Sequence, residues 1–345
     1  FMAIFFAVVV GLIVEPVPAA LVGFTGVSLV AALGLIGNSK ESITWALSGF
    51  SNSVIWLIFA AFMFALGYKK TGLGKRVSLV MIKYMGKSSL GLGYAVAFSD
   101  LVLSPFMPSN TARSAGTIYP VASNIPLIFD STPEHEPRKL GAYISWVAIA
   151  TTCVTSSMFL TALAPNLLAV DLINKGTGHM ISWGAWASIM LPLMIPLFLL
   201  TPWLVYVVYP PTQKTSPEAP AWAAEELKKL GGITSKELLM AGLAVVALAL
   251  WIFSKDFGID STTTAISIVS IMVLANVITW DDVISNKAAF NVLIWFASLV
   301  AMAAGLKKVG VLDWIGSSTE VYLSGMSPTM LILSMLFLFF VLHYF

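Results

Sequence analysis

The sequence is poor in charge: only 10% of its 345 residues are Asp, Glu, Lys or Arg, against about 25% in a typical soluble domain. So few charges exclude an ordinary water-soluble fold of this length. There is one cysteine, Cys153, which excludes an intrachain disulfide and any multi-cysteine metal site. Free cysteines are commonly buried, so Cys153 is expected as a small packing residue. The three histidines, His135, His179 and His343, are scattered. None of H-E-x-x-H, G-x-x-x-x-G-K-[ST] or G-x-S-x-G occurs, so the sequence gives no ground for an enzyme. The net charge is only +2 and no basic patch suggests nucleic acid.

What is there is apolar. Hydrophobic residues make up 58% of the chain and the mean hydropathy is +0.89. Runs near 19–36, 50–67, 140–170, 183–208, 238–254, 262–280 and 289–306 approach or exceed the roughly 20 apolar residues that cross a bilayer. Many of the eleven Trp and nine Tyr stand near the ends of these runs, as an interfacial belt requires. The expectation is an all-α, multi-span membrane protein. The chain opens on Phe1 and both ends fall inside apolar runs, which reads as a fragment trimmed at both ends.

Residues 68–88 hold Lys69, Lys70, Lys75, Arg76, Lys83 and Lys87 with no acid, which places them in the cytoplasm. The longest polar stretch, 210–237, reads as a solvated connector between two halves. Residues 54–73 are similar to 292–311: Gly67, Lys69, Lys70 and Gly72 recur as Gly305, Lys307, Lys308 and Gly310, at an offset of 238. Counting crossings makes the two copies inverted, an arrangement common in secondary transporters, provided that 89–129 enters and leaves from one side. Lys307 and Lys308 then sit outside, against the positive-inside rule.

That proviso has local support. Residues 90–104 form an arm of 15 residues, only ~22 Å at 1.5 Å per residue and short of the ~30 Å hydrocarbon core. Pro105 and Pro108 then break the helix, and Ser109 stands where a new one would be capped. A hairpin with its tip near the midplane fits this pattern. Ser109, Asn110 and Thr111 would offer hydroxyl and amide groups beside the free N–H groups of a helix start. Such a site receives a carboxylate without a permanent counter-charge, and its oxygens suit sodium as well.

A second stretch, 151–168, carries Thr155, Ser156, Ser157, Thr161, Pro165 and Asn166 and is expected to unwind beside the same cavity. Thr161 and Asn166 therefore join the candidate substrate-binding residues. Asp100 and Arg113 are costly in a bilayer and lie on either side of the tip. Two readings stand open: a structural ion pair, or a fixed positive charge that Arg113 lends to an anion site.

The motifs PSNTARSAGTIYP, LSGFSNSVIWLIFAAFMFALGYKKTGLG and SSMFLTALAPN resemble the divalent anion:sodium symporter family over essentially the whole chain. The likeness is strongest to its bacterial tartrate/succinate and citrate/succinate antiporters and its plastid 2-oxoglutarate/malate translocators. It implies a homodimer in a lipid bilayer, most naturally a bacterial inner membrane. It also implies an elevator mechanism, two pseudo-symmetric hairpins and a di- or tricarboxylate substrate. Ser109, Asn110 and Thr111 would contact substrate or cation. If transport is sodium-coupled, Ser104, Ser109, Asn110, Ser156 and Ser157 would supply metal ligands. No cofactor is expected beyond sodium as a coupling ion. An arginine at position 113, where some sodium-coupled members carry a small polar residue, favours exchange over symport. An anion channel or membrane enzyme is a remoter alternative.

On this resemblance, 1–88 are scaffold helices of the first repeat, 89–129 the re-entrant hairpin, and 130–170 a broken transmembrane helix of the transport domain. Residues 171–209 supply a further transmembrane helix and 210–237 the cytoplasmic connector. Residues 238–311 are scaffold helices of the second repeat, and 312–345 begin the second hairpin, whose own motif falls past residue 345.

Overall fold

A computed structural model describes residues 1–342, so His343 lies outside the described residues. Among them there is no β-strand. In chain order the helices are α1 (Met2–Val14), α2 (Ala19–Ala32), α3 (Ser39–Leu47), α4 (Ser53–Thr71), α5 (Leu73–Met85) and α6 (Ser89–Leu103). A π-helix, Thr111–Ile118, leads into α7 (Tyr119–Ala122) and α8 (Asn124–Ile128). Then come α9 (Gly141–Met158), α10 (Ala164–Thr177), α11 (Trp183–Val208), α12 (Glu218–Leu230) and α13 (Ser235–Ile252). The chain continues with α14 (Ser254–Phe257), α15 (Ser261–Leu274), α16 (Trp280–Ile284), α17 (Lys287–Lys308), α18 (Val311–Leu323) and α19 (Pro328–Leu342). The protein is an all-α, multi-pass integral membrane protein.

Residues 1–52 and 294–345 form one compact unit, and 53–293 a second. In the first, Val8, Val27, Val30, Trp45, Ala301 and Met302 make a common core. Gly49 lies so close to the Ala297 carbonyl that a Cβ would stand 1.8 Å from its oxygen, so only glycine permits this approach. Lys308 finds Glu41 at 3.9 Å.

The second unit carries the site. Local chemistry sets several helix starts: Thr234 and Glu237 form a reciprocal capping box, and Asp260 Oδ1 accepts the Thr262 N–H at 2.8 Å. The repeated G-x-K-K-x-G has a structural meaning in both copies. Gly72 and Gly310, each after a helix with two lysines in its last turn, adopt φ of 80° and 77°, a left-handed conformation that stops the helix.

Four helices of this unit, α4, α11, α13 and the start of α17, belong to spans long and apolar enough to cross a bilayer. Ser89–Phe106 also qualifies by length and composition, and the segment after it turns back to the same neighbour. Its start is pinned to the connector: the Ser89 N–H donates to the Lys214 carbonyl at 3.1 Å, and the Ser216 N–H to that of Lys87 at 3.0 Å. Its return leg ends beside the same connector, where Asn124 of α8 lines one cavity with Trp222 and Glu226 of α12. The Lys70–Asp282 ion pair, at 2.7 Å, sets the end of α4 beside the approach to α17.

Three expectations are corrected. Cys153 is exposed on α9, not packed inside. The run 262–280 is helical only over Ser261–Leu274, then turns through Asn276 at φ 54°. The connector is not merely solvated. Its α12 packs on α5 through buried Ala219 and Ala223, and Lys75 pairs with Glu226 at 3.3 Å.

Candidate functional site

Two broken helices meet at the centre of the second unit. After α6, Ser104–Phe106 make a single tight turn and Pro108 prevents continuation. Between α9 and α10 the backbone is extended at Phe159 (φ −122°, ψ 140°) and Leu163 (φ −145°, ψ 132°). Each break frees backbone groups that cannot stay unpaired at membrane depth. The two breaks satisfy one another. The Thr161 hydroxyl donates to the Pro105 carbonyl at 2.5 Å, and the Ala164 N–H to that of Pro108 at 3.0 Å.

Arg113 ties the junction together. Its side chain is fully buried, and Nε donates to both oxygens of buried Asp100 at 3.1 Å. One terminal nitrogen donates to the carbonyls of Met107 at 2.8 Å and Ala162 at 2.9 Å. The other reaches Asn110 Oδ1 at 3.0 Å, Thr152 at 3.1 Å and Thr155 at 3.3 Å. Thr155 also hydrogen-bonds Asp100. All of the guanidinium's N–H donors therefore have protein acceptors, and Arg113 stands behind the tip with its charge compensated by Asp100.

At the tip, Ser109 caps the returning helix: its hydroxyl accepts the Ala112 N–H at 3.3 Å and its carbonyl the Arg113 N–H at 2.9 Å. The helix that follows is wound as a π-helix, a form frequent at functional sites. Ser109 and Thr111 line a cavity of about 680 Å³, with Met107, Thr117, Lys69, Lys287 and Asn291. Asn110 is joined to them through the backbone and to Arg113 through its side-chain oxygen.

The remaining candidates divide. Thr161 faces the hairpin and also accepts the Trp183 Nε1–H at 3.1 Å. Asn166 bridges its own break, donating to the carbonyls of Ser156 at 2.7 Å and Phe159 at 3.3 Å. The hydroxyls of Ser104 and Ser156 bond back to the carbonyls of Leu101 and Cys153, both at 2.8 Å. The Ser157 carbonyl accepts from Trp186 at 3.1 Å. Among the described residues no cluster of His, Cys, Asp and Glu could hold a metal. The oxygens suited to a hard cation are those of the two breaks, and the Met107 and Ala162 carbonyls already receive Arg113.

Sequence reasoning missed Thr152 and the cavity wall opposite the tip. Lys69 was visible there in the repeated G-x-K-K-x-G, whereas Lys287 and Asn291 carried no local signal. At the cavity's edge the Lys70 ammonium, with the Thr279 N–H and hydroxyl, holds the Asp282 carboxyl down at about 2. Lys229 and Lys75 likewise hold Glu226 below the usual carboxylate range.

A broken-helix tip of hydroxyls and an amide, over a cavity in a multi-span α-fold, is transporter architecture. The model of the sodium:sulfate symporter transmembrane region matches residues 1–345. The chain belongs to that family, the divalent anion:sodium symporters. The L-tartrate/succinate antiporter of Escherichia coli (strain K12) is 48% identical over 359 residues, covering 100% of this chain and 74% of the relative. The antiporters of the same name from Shigella sonnei (strain Ss046) and Shigella flexneri match with the same identity and coverage. Like other divalent anion:sodium symporter family members, the chain is a membrane transporter and not an enzyme.

Proposed function

We propose that this chain is a secondary carrier that exchanges dicarboxylates of the tartrate and succinate type across a bacterial inner membrane. One substrate carboxylate is received at Ser109–Thr111. The observation that carries this reading is the tip: hydroxyl-bearing residues at a helix start, lining a cavity and held by a buried network. The names of the relatives supply the substrate class and the exchange mode. A homodimer moving its substrate site by an elevator motion belongs to the same reading, as does a role for Thr161 and Asn166 in shaping the site.

Arg113 gives a physical reason for exchange without sodium. Its guanidinium takes the Met107 and Ala162 carbonyls, oxygens of the kind a sodium ion would use. Sodium-coupled dicarboxylate symport is the second reading. It draws on the description of the family model and on Asp100, which neutralises Arg113 and leaves the substrate's charge to be balanced by another group. Counterflow of labelled succinate in proteoliposomes, with potassium replacing sodium, separates the two. Exchange should persist in potassium, and a steep requirement for sodium would support symport.

A further inference from the structure

Ser109–Thr111 is not the whole of the cavity. The cavity that holds Ser109 and Thr111 carries three charged residues, Lys69, Asp282 and Lys287. A neighbouring cavity of about 470 Å³ shares Lys69, Gly116 and Thr117 with it and extends to Lys75, Trp222 and Glu226. The two together trace a route from the α5–α12 layer to the hairpin tip, with Lys69 at the junction.

The acids along this route are committed elsewhere. Asp282 is paired with Lys70 at 2.7 Å, and Glu226 with Lys75 at 3.3 Å and Lys229 at 2.8 Å. Lys69 and Lys287 are both exposed, and among the described residues neither has an acid within ion-pair distance. Lys287 is the first residue of α17, whose first turn has no acid. The helix dipole disfavours a cation at that position, so Lys287 stands there against local preference, as functional residues often do. Lys69 and Lys287 thus place two positive charges, neither in an ion pair among the described residues, in the cavity that Ser109 and Thr111 line.

The other end of α4 is different. There a cavity of about 370 Å³, lined by Ser53, Val54 and Leu57, carries Asp171 and Asp260 and, among the described residues, no lysine or arginine.

We propose that Lys69 and Lys287 form a staging site that captures the dicarboxylate dianion on one face of the membrane before it reaches Ser109–Thr111. The proposal rests on the carrier reading above and names the residues that set affinity from that face. Two fixed ammonium groups in a walled cavity concentrate a dianion and raise its rate of capture, in a manner that salt screens. Once the substrate is bound at the tip they have no further part, so they govern KM and leave the maximal rate alone.

The test measures labelled succinate exchange in inside-out vesicles, which present the Lys69 face to the medium, and in right-side-out vesicles. The Lys69→Gln/Lys287→Gln variant should raise KM about tenfold in inside-out vesicles at low ionic strength, with the maximal rate retained. Its KM in right-side-out vesicles should match the wild type. Lys69→Arg/Lys287→Arg should keep the wild-type KM, and added salt should bring the wild type toward the Gln variant. An unchanged KM at the Lys69 face, or an equal rise at both faces, would overturn the staging site while wild-type exchange leaves the carrier reading intact. A wild type that exchanges no dicarboxylate from either face overturns both.

Discussion

Asp100 and Arg113 stand thirteen residues apart in sequence, one on each leg of the hairpin, and meet with both carboxylate oxygens 3.1 Å from Nε. Both side chains are buried. The pair is formally neutral, so Arg113 leaves no uncompensated charge behind the hairpin tip. A preference for exchange that depended on such a charge has no basis in this geometry. What Arg113 contributes is occupancy of the carbonyls at both helix breaks.

Removing one partner should therefore be far worse than removing both. Arg113→Gln leaves the Asp100 carboxylate buried and unpaired, a loss of about 3–5 kcal/mol. Arg113→Gln/Asp100→Asn should recover a large part of that loss. Thermal unfolding of the purified variants in detergent reads the difference, and a double variant no more stable than the single one would show that the pair is not the source.

Asn110→Ala should abolish dicarboxylate exchange while the protein still folds. The Arg113 terminal nitrogen that Asn110 accepts from also reaches Thr152 and Thr155, so the network keeps acceptors for it. A monodisperse variant with near-normal exchange and substrate affinity would remove Asn110 from the site.

Much of this site was legible locally. Pro105 and Pro108 announce the hairpin, Pro165 and the hydroxyl-rich stretch before it announce the second break, and Gly72 and Gly310 mark matching helix ends. What could not be read is the pairing between breaks, because Thr161 meets the Pro105 carbonyl across 56 residues and no local pattern encodes it. The packing of α12 on α5 was hidden in the same way, since mixed charge along 210–237 looks solvated until its partners are known. Cys153 misled for a different reason. In a membrane an exposed helix face is apolar, so a small apolar side chain does not imply a buried one.

The pH dependence of exchange should not come from the Lys70–Asp282 clasp. The Asp282 carboxyl is held at about 2 against an ordinary 3.8. A depressed pKa of this kind contributes stability that is present above the ordinary value and is lost as pH falls through the lowered one. Between about pH 5 and about pH 8 the clasp is constant. The Asp282→Asn variant should keep the shape of the wild-type pH–exchange profile over that range, and a changed shape would contradict the assignment.

Inverted copies put residues near Lys75 in the cytoplasm and those near Asp313 outside. Single cysteines introduced at the two places, in a Cys153→Ala background, should label from opposite faces with a membrane-impermeant maleimide. Labelling of both from one face would refute the inversion and the hairpin with it.

The most direct test of dicarboxylate exchange at Ser109–Thr111 is counterflow of labelled succinate into proteoliposomes loaded with unlabelled succinate or tartrate. Rapid counterflow in sodium and in potassium alike, weak uptake into empty vesicles, and loss of both in Asn110→Ala is the expected result. Uptake into empty vesicles that rises steeply with external sodium would contradict it.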